Sequence, residues 1–390
     1  MTTLGVVGGK LQGMEAAYLA KKAGMKVVVL DRDPKAPALA LADEGVVIDT
    51  TMERKRTIDL LTDCDAVLPA NENLDTLVGL TNMLSCTDVP LIFDIDAYLL
   101  SSSKIRSNQF MKRLGIPQPR TWPECGYPVV VKPSGGSGSD GVTRATDHRT
   151  MVSGVEKIEG RGDEVVIEEF LDGPSVSIEV IGDGTNFIPL VTTEVFLDDA
   201  YDCKMVGSPW EARDGGAEPV LIDASRTMAQ ALGLRGIMDV EAIVVNGVPR
   251  VLEIDARIPS QTPTAVFHSH GINMVDMLVK MSLGEALEKP SRDGAKAAFY
   301  EHISVDDGIM RSCGEGRFAE VSRPRIVPGL FGSDEMITDY EPGKKSWRAT
   351  IITSADDARA AREKRAKVIQ DIINNEGISQ YTDPQPEGYE

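Results

Sequence analysis

Along the first part of the chain, short apolar runs alternate with stretches of helical periodicity. Residues 4–7 (LGVV) are apolar and followed by glycines, and 15–23 (EAAYLAKKA) predicts a helix ended by Gly24. Lys26–Leu30 is a second apolar strand closed by Asp31. Ala66–Leu68, a helix near 73–84 and a strand at Pro90–Phe93 continue the alternation. Strand–helix–strand order predicts an open parallel sheet with helices on both faces, here assigned to residues 1–95 as a Rossmann-like unit.

The middle of the chain changes character. Helical patterns over 96–116 lead to a strand at Tyr127–Lys132, a glycine- and serine-rich loop at 134–141 and another strand at Val165–Phe170. From 175 onward strands dominate (175–181, 187–196, 236–245, 249–256), a pattern that predicts an antiparallel sheet. Residues 355–374 predict an amphipathic helix with Ser354 and Asp357 as a capping box and Gly377 as its stop, followed by a polar, frayed tail at 378–390. The fold class is therefore α/β with an α+β second part: a small central unit over 96–172 and a larger C-terminal unit over 173–390.

Composition narrows the partners. The net charge of −19 repels phosphate backbones, so nucleic acid is not expected as a partner. The five cysteines are widely spaced without a CxxC pair, which fits a reducing cytoplasm better than a disulfide framework or a zinc site. His268 and His270 form an HxH pair that on a strand could face a metal. The N-terminus runs straight into a strand, which leaves no room for a signal peptide. The longest uncharged stretch, 258–275, holds two prolines, Gln261 and two histidines, so no membrane span is expected.

The segment Gly8-Gly9-Lys10-Leu11-Gln12-Gly13 follows a strand, opens a helix and precedes Asp31, the layout of a dinucleotide site. Lys10 stands where the second glycine of that fingerprint belongs, and Leu11 follows the lysine where a Walker A loop needs Ser or Thr. A tight turn in an open sheet is the better reading, with the helix N-terminus free to hold a substrate carboxylate.

Four features then occur in fixed order. Lys132 ends an apolar strand and can meet phosphate oxygens. Ser134–Gly141 carries four glycines whose N–H groups can converge on one anion. Val165–Phe170 places Glu168 and Glu169 at a strand end, where Glu168 can accept from an adenine amino group and the backbone near Phe170–Leu171 supplies further contacts. Residues 239–257 read as a hairpin about Asn246-Gly247. A three-residue loop at 246–248 would set Glu241 across from Glu253, with Asp255, Asp239 and Arg257 on the same face. Carboxylates clustered inside Val- and Ile-rich strands repel unless a cation neutralises them, and hard oxygen ligands suit magnesium bound with nucleotide phosphates.

This order resembles the ATP-grasp ligases, over roughly residues 1–300. The resemblance implies ATP and magnesium, two ions, as cofactors. Lys104 and Lys132 would contact phosphates, with Ser134, Gly135, Gly136, Ser137 and Gly138 as the glycine loop. Glu168, Glu169, Phe170 and Leu171 would frame adenine. Glu241, Glu253 and Asp255 would hold the ions, and Arg257 would stabilise the transferred phosphoryl group. Ser175 stands where many members have a ribose-binding acid, and Asp255 replaces the commoner Asn.

Longer blocks, among them GGKLQGMEAAYLAKKAGMKVVVLDRDP, PANENLDTL and EIDARIPSQTPTAV, resemble the ligases of pyrrolysine biosynthesis. That resemblance implies small-molecule substrates, 3-methyl-D-ornithine as the acid and L-lysine as the amine, and a homodimer. Both substrates carry an extra ammonium group, so acids are expected in their pocket, from Glu72, Glu179, Asp202 and Asp239; the other expected substrate residues are Lys10, Leu11, Gln12, Ser177, Tyr201, Arg257, Ser260, Gln261 and Thr262. Asp239 or Glu179 would accept the amine proton. A ligase for another amino-acid pair and a non-catalytic ATP-binding protein are the competing readings. An apolar small pocket would favour the first, and loss of the metal carboxylates the second.

Overall fold

The computed structural model describes residues 1–136, 138, 140–211, 216–292 and 294–386. Its strands fall into three sheets in chain order. β1 (Thr3–Val7), β2 (Lys26–Asp31), β3 (Glu44–Val47) and β4 (Ala66–Pro69) are wholly parallel in the order β3-β2-β1-β4. Alternate residues serve opposite faces. Leu4, Val6, Val27 and Val29 pack with the helix Leu11–Lys22, while Val7, Val28 and Leu30 pack with Leu61 and Leu80 from the helices Arg54–Thr62 and Leu74–Leu84.

β5 (Val129–Pro133), β6 (Thr143–Ala145) and β7 (Val165–Glu169) form a small antiparallel sheet in the order β6-β5-β7. Its own core is Val129, Val131, Ala145, Met151 and Ile158, the last two from the helix His148–Glu159. The remaining strands make one eleven-stranded sheet. They are β8 (Ser175–Asp183), β9 (Phe187–Leu197), β10 (Cys203–Ser208), β11 (Arg235–Val245), β12 (Val248–Asp255), β13 (Ala297–Asp306), β14 (Ile309–Ser312), β15 (Arg325–Pro328), β16 (Glu335–Thr338), β17 (Ser346–Ala355) and β18 (Gln380–Thr382). The order is β12-β11-β8-β9-β10-β13-β17-β16-β15, with β14 on β13 and β18 parallel to β14. One apolar cluster runs from the helix Leu11–Lys22 through Thr262–His270 and Met274–Ser282 to Val206 and Tyr300 of this sheet, which locks the parallel sheet against the large one.

Several local expectations need correction. The first helix begins at Leu11, not 15, because Gly13 lets the turn close on Gly8, whose carbonyl oxygen would lie 2.1 Å from a Cβ there. Pro90–Phe93 is not a strand. It makes one parallel bridge, Val67 with Leu91, before Asp94 caps the helix Ile95–Ser101. His268 and His270 lie on a helix rather than a strand, where residues two apart point in different directions. Ser354 belongs to β17, and Asp357 alone caps the helix Ala358–Glu376 by accepting the Ala360 N–H. The segment after it is tied down. β18 pairs with β14, and Asp383 accepts from the buried Lys204 at 2.6 Å and from Arg365 at 3.3 Å.

Candidate active site

The site is built on the edge of the large sheet. β8, β11 and β12 lie side by side, and their register places Ser177, Glu241 and Glu253 in one cross-strand row and Glu179, Asp239 and Asp255 in the next. The hairpin turn has two residues, Asn246 and Gly247, both at positive φ (50° and 76°), so Val245 pairs with Val248. Continued regularly, that register would set Glu241 against Leu252. A bulge between Glu241 and Ala242 takes up the extra residue and restores Glu241 opposite Glu253. It also reverses the phase of β12: Pro249 and Val251 are buried before it, and Ile254 after it, so Glu253 and Asp255 turn to the cleft.

Electrostatics in the two rows are unbalanced. Burial, reinforced by Glu253 and Asp239, pushes the Glu241 carboxyl well above its ordinary range. Its side chain has no hydrogen-bond or ion-pair partner among the described residues. Burial and Glu179 raise Asp239 well above its usual value, and Ser177 donates to it. Asp255 rises to about 6 through burial, against the pull of Arg257, which pairs with it at 2.7 Å. Glu253 goes the other way: burial would raise it, but the ammonium groups of Lys104, 2.8 Å away, and Lys132 hold it low. Glu179 is fully buried with neither oxygen partnered, and burial lifts it to about 7.

The small sheet faces these acids across a cavity of about 290 Å³. Lys132 and Glu168 both border it and form a buried ion pair, so Glu168 holds the lysine rather than presenting a free acceptor. Glu169 is clamped by Arg120, with 2.8 and 3.1 Å contacts. Phe170 carries the Arg144 guanidinium 4.3 Å from its ring centre, and Leu171 is buried beside it. Lys104 joins the two sides, since its Nζ donates to the Gly136 carbonyl at 2.9 Å and its N–H to Ser134 at 2.7 Å. Gly136 and Gly138 line the cavity. Gly135 lies against Ser102, and the Ser134 hydroxyl is turned to Ser103 and the Ile105 N–H. Ser137 lies outside the described residues.

The substrate candidates divide between this cavity and a second, of about 660 Å³, at the carboxyl edge of the parallel sheet. Ser177, Tyr201, Asp202, Asp239, Arg257, Gln261 and Thr262 line the first; Lys10 and Leu11 line the second; Gln12, Glu72 and Ser260 border both. Glu179 borders neither. Arg257 is gripped by Asp255 and Glu72, each at 2.7 Å, and Gln12 donates to Glu72 at 3.0 Å.

The hard carboxylate set, with Glu241 raised by burial and unpartnered among the described residues, fits a divalent cation. Among the described residues no three acidic, His or Cys side chains converge on one point, since Glu253 and Asp255 are turned to Lys104 and Arg257.

Residues 4–92 match the PylC-like N-terminal domain and 101–261 the ATP-grasp domain. Two curated relatives are named 3-methyl-D-ornithine–L-lysine ligase. The one from Methanosarcina barkeri is 40% identical over 81% of this chain and 83% of its own, and the one from Methanosarcina mazei is 39% identical over 81% of each. This chain belongs to the PylC-like ligases of the ATP-grasp family. The ligase also shares its fold with the biotin carboxylase of Campylobacter jejuni (TM-score 0.74, 18% identity, covering 95% of this chain and 91% of that one). An N5-carboxyaminoimidazole ribonucleotide synthetase superposes with a TM-score of 0.71, 17% identity and 96% and 98% coverage. It is an ATP-dependent carboxylate–amine ligase, and no helix among its described residues is long and apolar enough to cross a membrane.

Sequence reasoning missed two residues that border the candidate site. Arg144 stacks on Phe170 inside the first cavity, from a three-residue strand with no signal of its own. Glu315 borders both cavities from the helix Glu315–Phe318, far along the chain from every motif, and burial raises its carboxyl.

Proposed function

We propose that this ligase phosphorylates the carboxylate of (3R)-3-methyl-D-ornithine with ATP and passes the acyl group to the ε-amine of L-lysine, giving 3-methylornithyl-N6-lysine, ADP and phosphate. The names of the Methanosarcina relatives support the substrates. The observation that carries the reading is the Lys104–Glu253 contact at 2.8 Å. It joins the glycine loop to the carboxylate hairpin, inside a cavity that Lys132 also borders.

On this reading Lys104 and Lys132 hold the triphosphate and offset its charge, while Phe170, Leu171 and Arg144 border the base. Glu241, Glu253 and Asp255 would hold magnesium, two ions, with Lys104 and Arg257 released from them as phosphate enters. Bound magnesium neutralises phosphate oxygens during in-line transfer. Arg257, held by Glu72, would grip the transferred phosphoryl group and then the developing oxyanion. Asp239, held by Ser177, and Glu179 behind it form the acidic end that receives the amine proton. The reading includes a cytoplasmic setting and a homodimer, the assembly that the name of the Hydrogenobacter thermophilus biotin carboxylase domain carries.

Purified protein with ATP, magnesium, D-ornithine or its 3-methyl form, and L-lysine should release ADP only when both amino acids are present, and form one amide. Glu253→Gln should abolish turnover without unfolding the chain. ADP release with neither amino acid, or none with any pair, removes this reading.

A further inference from the structure

The chain between Arg257 and the helix Thr262–His270 turns a strained corner. Gln261 has φ 72° and ψ −55°, and the Thr262 N–H donates to the Ser260 carbonyl at 2.9 Å. This is a γ-turn of the positive-φ kind, a shape that a non-glycine residue keeps only when its surroundings enforce it. The enforcement is visible. The Gln261 amide nitrogen donates to the Cys203 carbonyl at 3.2 Å and to Glu315 Oε1 at 2.7 Å, and its amide oxygen accepts the Cys203 thiol at 3.3 Å. The Ser260 hydroxyl donates to the same Glu315 oxygen.

Glu315 is itself anchored. Asp198 accepts the Gly314 N–H at 3.0 Å, and Asp202 the Gly316 N–H at 2.8 Å. A Cβ on Gly314 would lie 2.3 Å from the Asp202 carboxylate, so this approach requires glycine. Ser260 and Glu315 border both cavities, so the braced turn is part of the wall between them. The nucleotide-facing lysines are not part of this brace.

We propose that Glu315 is a positioning residue of the ligase: by holding the γ-turn at Gln261 it fixes the wall between the two cavities and sets affinity for an amino-acid substrate, not for ATP. The inference rests on the proposed reaction. It also gives the C-terminal part of the chain, beyond the ATP-grasp match at 101–261, a part in the site.

The test is steady-state kinetics of Glu315→Gln and Gln261→Gly with ATP, D-ornithine and L-lysine, beside thermal unfolding. Loss of the charge-assisted bonds in Glu315→Gln should raise KM for one or both amino acids by about tenfold or more and leave KM for ATP in place. Glycine accepts φ 72° without strain, which offsets part of the loss of the amide's hydrogen bonds, so Gln261→Gly should stay folded and show the same rise in KM. Because both act through one turn, the double variant should add little. Unchanged KM for both amino acids in either folded variant, an equal rise for ATP, or fully additive effects overturns the proposal. A wild-type protein that makes no amide overturns the reaction itself. An active wild type with unmoved variants overturns only the role of Glu315.

Discussion

Glu15 is the clearest case of a single residue whose chemistry the tertiary structure rewrites. It lies on an ordinary-looking helix, yet it is buried and accepts the Thr264 N–H at 2.6 Å, which ties the first helix to the start of Thr262–His270. Burial outweighs the Thr264 contacts and lifts its carboxyl from 4.5 to about 7. The folded state therefore binds a proton that the unfolded chain has released between about pH 4.5 and 7. That contribution to stability is full below the lower value and lost as pH rises through the upper one. The ligand-free protein should melt at a lower temperature at pH 8 than at pH 5. Glu15→Gln, which keeps an acceptor and removes the charge, should flatten that difference; an identical pH profile would contradict the assignment. At this scale Lys132, Glu241, Glu253, Asp255 and Arg257 were legible because each is an ionisable residue inside or ending an apolar strand. Glu15, Arg144 and Glu315 were not, because a charged residue on a helix or short strand normally reads as solvated.

Among the elements, the β11–β12 hairpin shows what local pattern can and cannot specify. Asn-Gly marked the turn, and Glu241 does stand opposite Glu253. The route differs: a two-residue turn plus a bulge replaces the expected three-residue loop. Either arrangement absorbs one residue, and only the packing of Val251 and Ile254 on opposite sides of the slip selects the bulge. Gly247 sits at φ 76° with open space around it. Gly247→Ala should therefore cost about 1–2 kcal/mol through backbone conformation alone, read as a lower denaturant midpoint with the slope unchanged. A midpoint equal to wild type would remove the two-residue turn from the account. Pro90–Phe93 and the tail teach the converse. An apolar run became a single bridge and a polar tail became a strand, because pairing depends on which edge is free nearby.

For the whole molecule, sixty acidic against 41 basic residues leave a net charge of −19. The acid rows on β8, β11 and β12 hold only five of these acids, so most of the excess repels itself across the rest of the molecule. Salt should relieve this. Raising ionic strength from low values to about 0.1 M, where the screening length is about 10 Å, should raise the thermal midpoint of the ligand-free protein. A flat or falling midpoint would mean that the ion pairs outweigh the repulsion. The sequence by itself determined the strand-and-helix alternation of the first unit, the order of lysine, glycine loop and carboxylate hairpin, and the family. These are encoded by residues near one another in the chain, through periodicity, turn chemistry and motif spacing. Only the tertiary structure decided that Glu168 holds Lys132, that Lys104 bridges loop and hairpin, that Arg257 is shared by Asp255 and Glu72, and that Glu315 braces Gln261. Apart from Asp255 with Arg257, those pairings join residues dozens to more than a hundred positions apart, and burial sets their energies, which no local pattern carries.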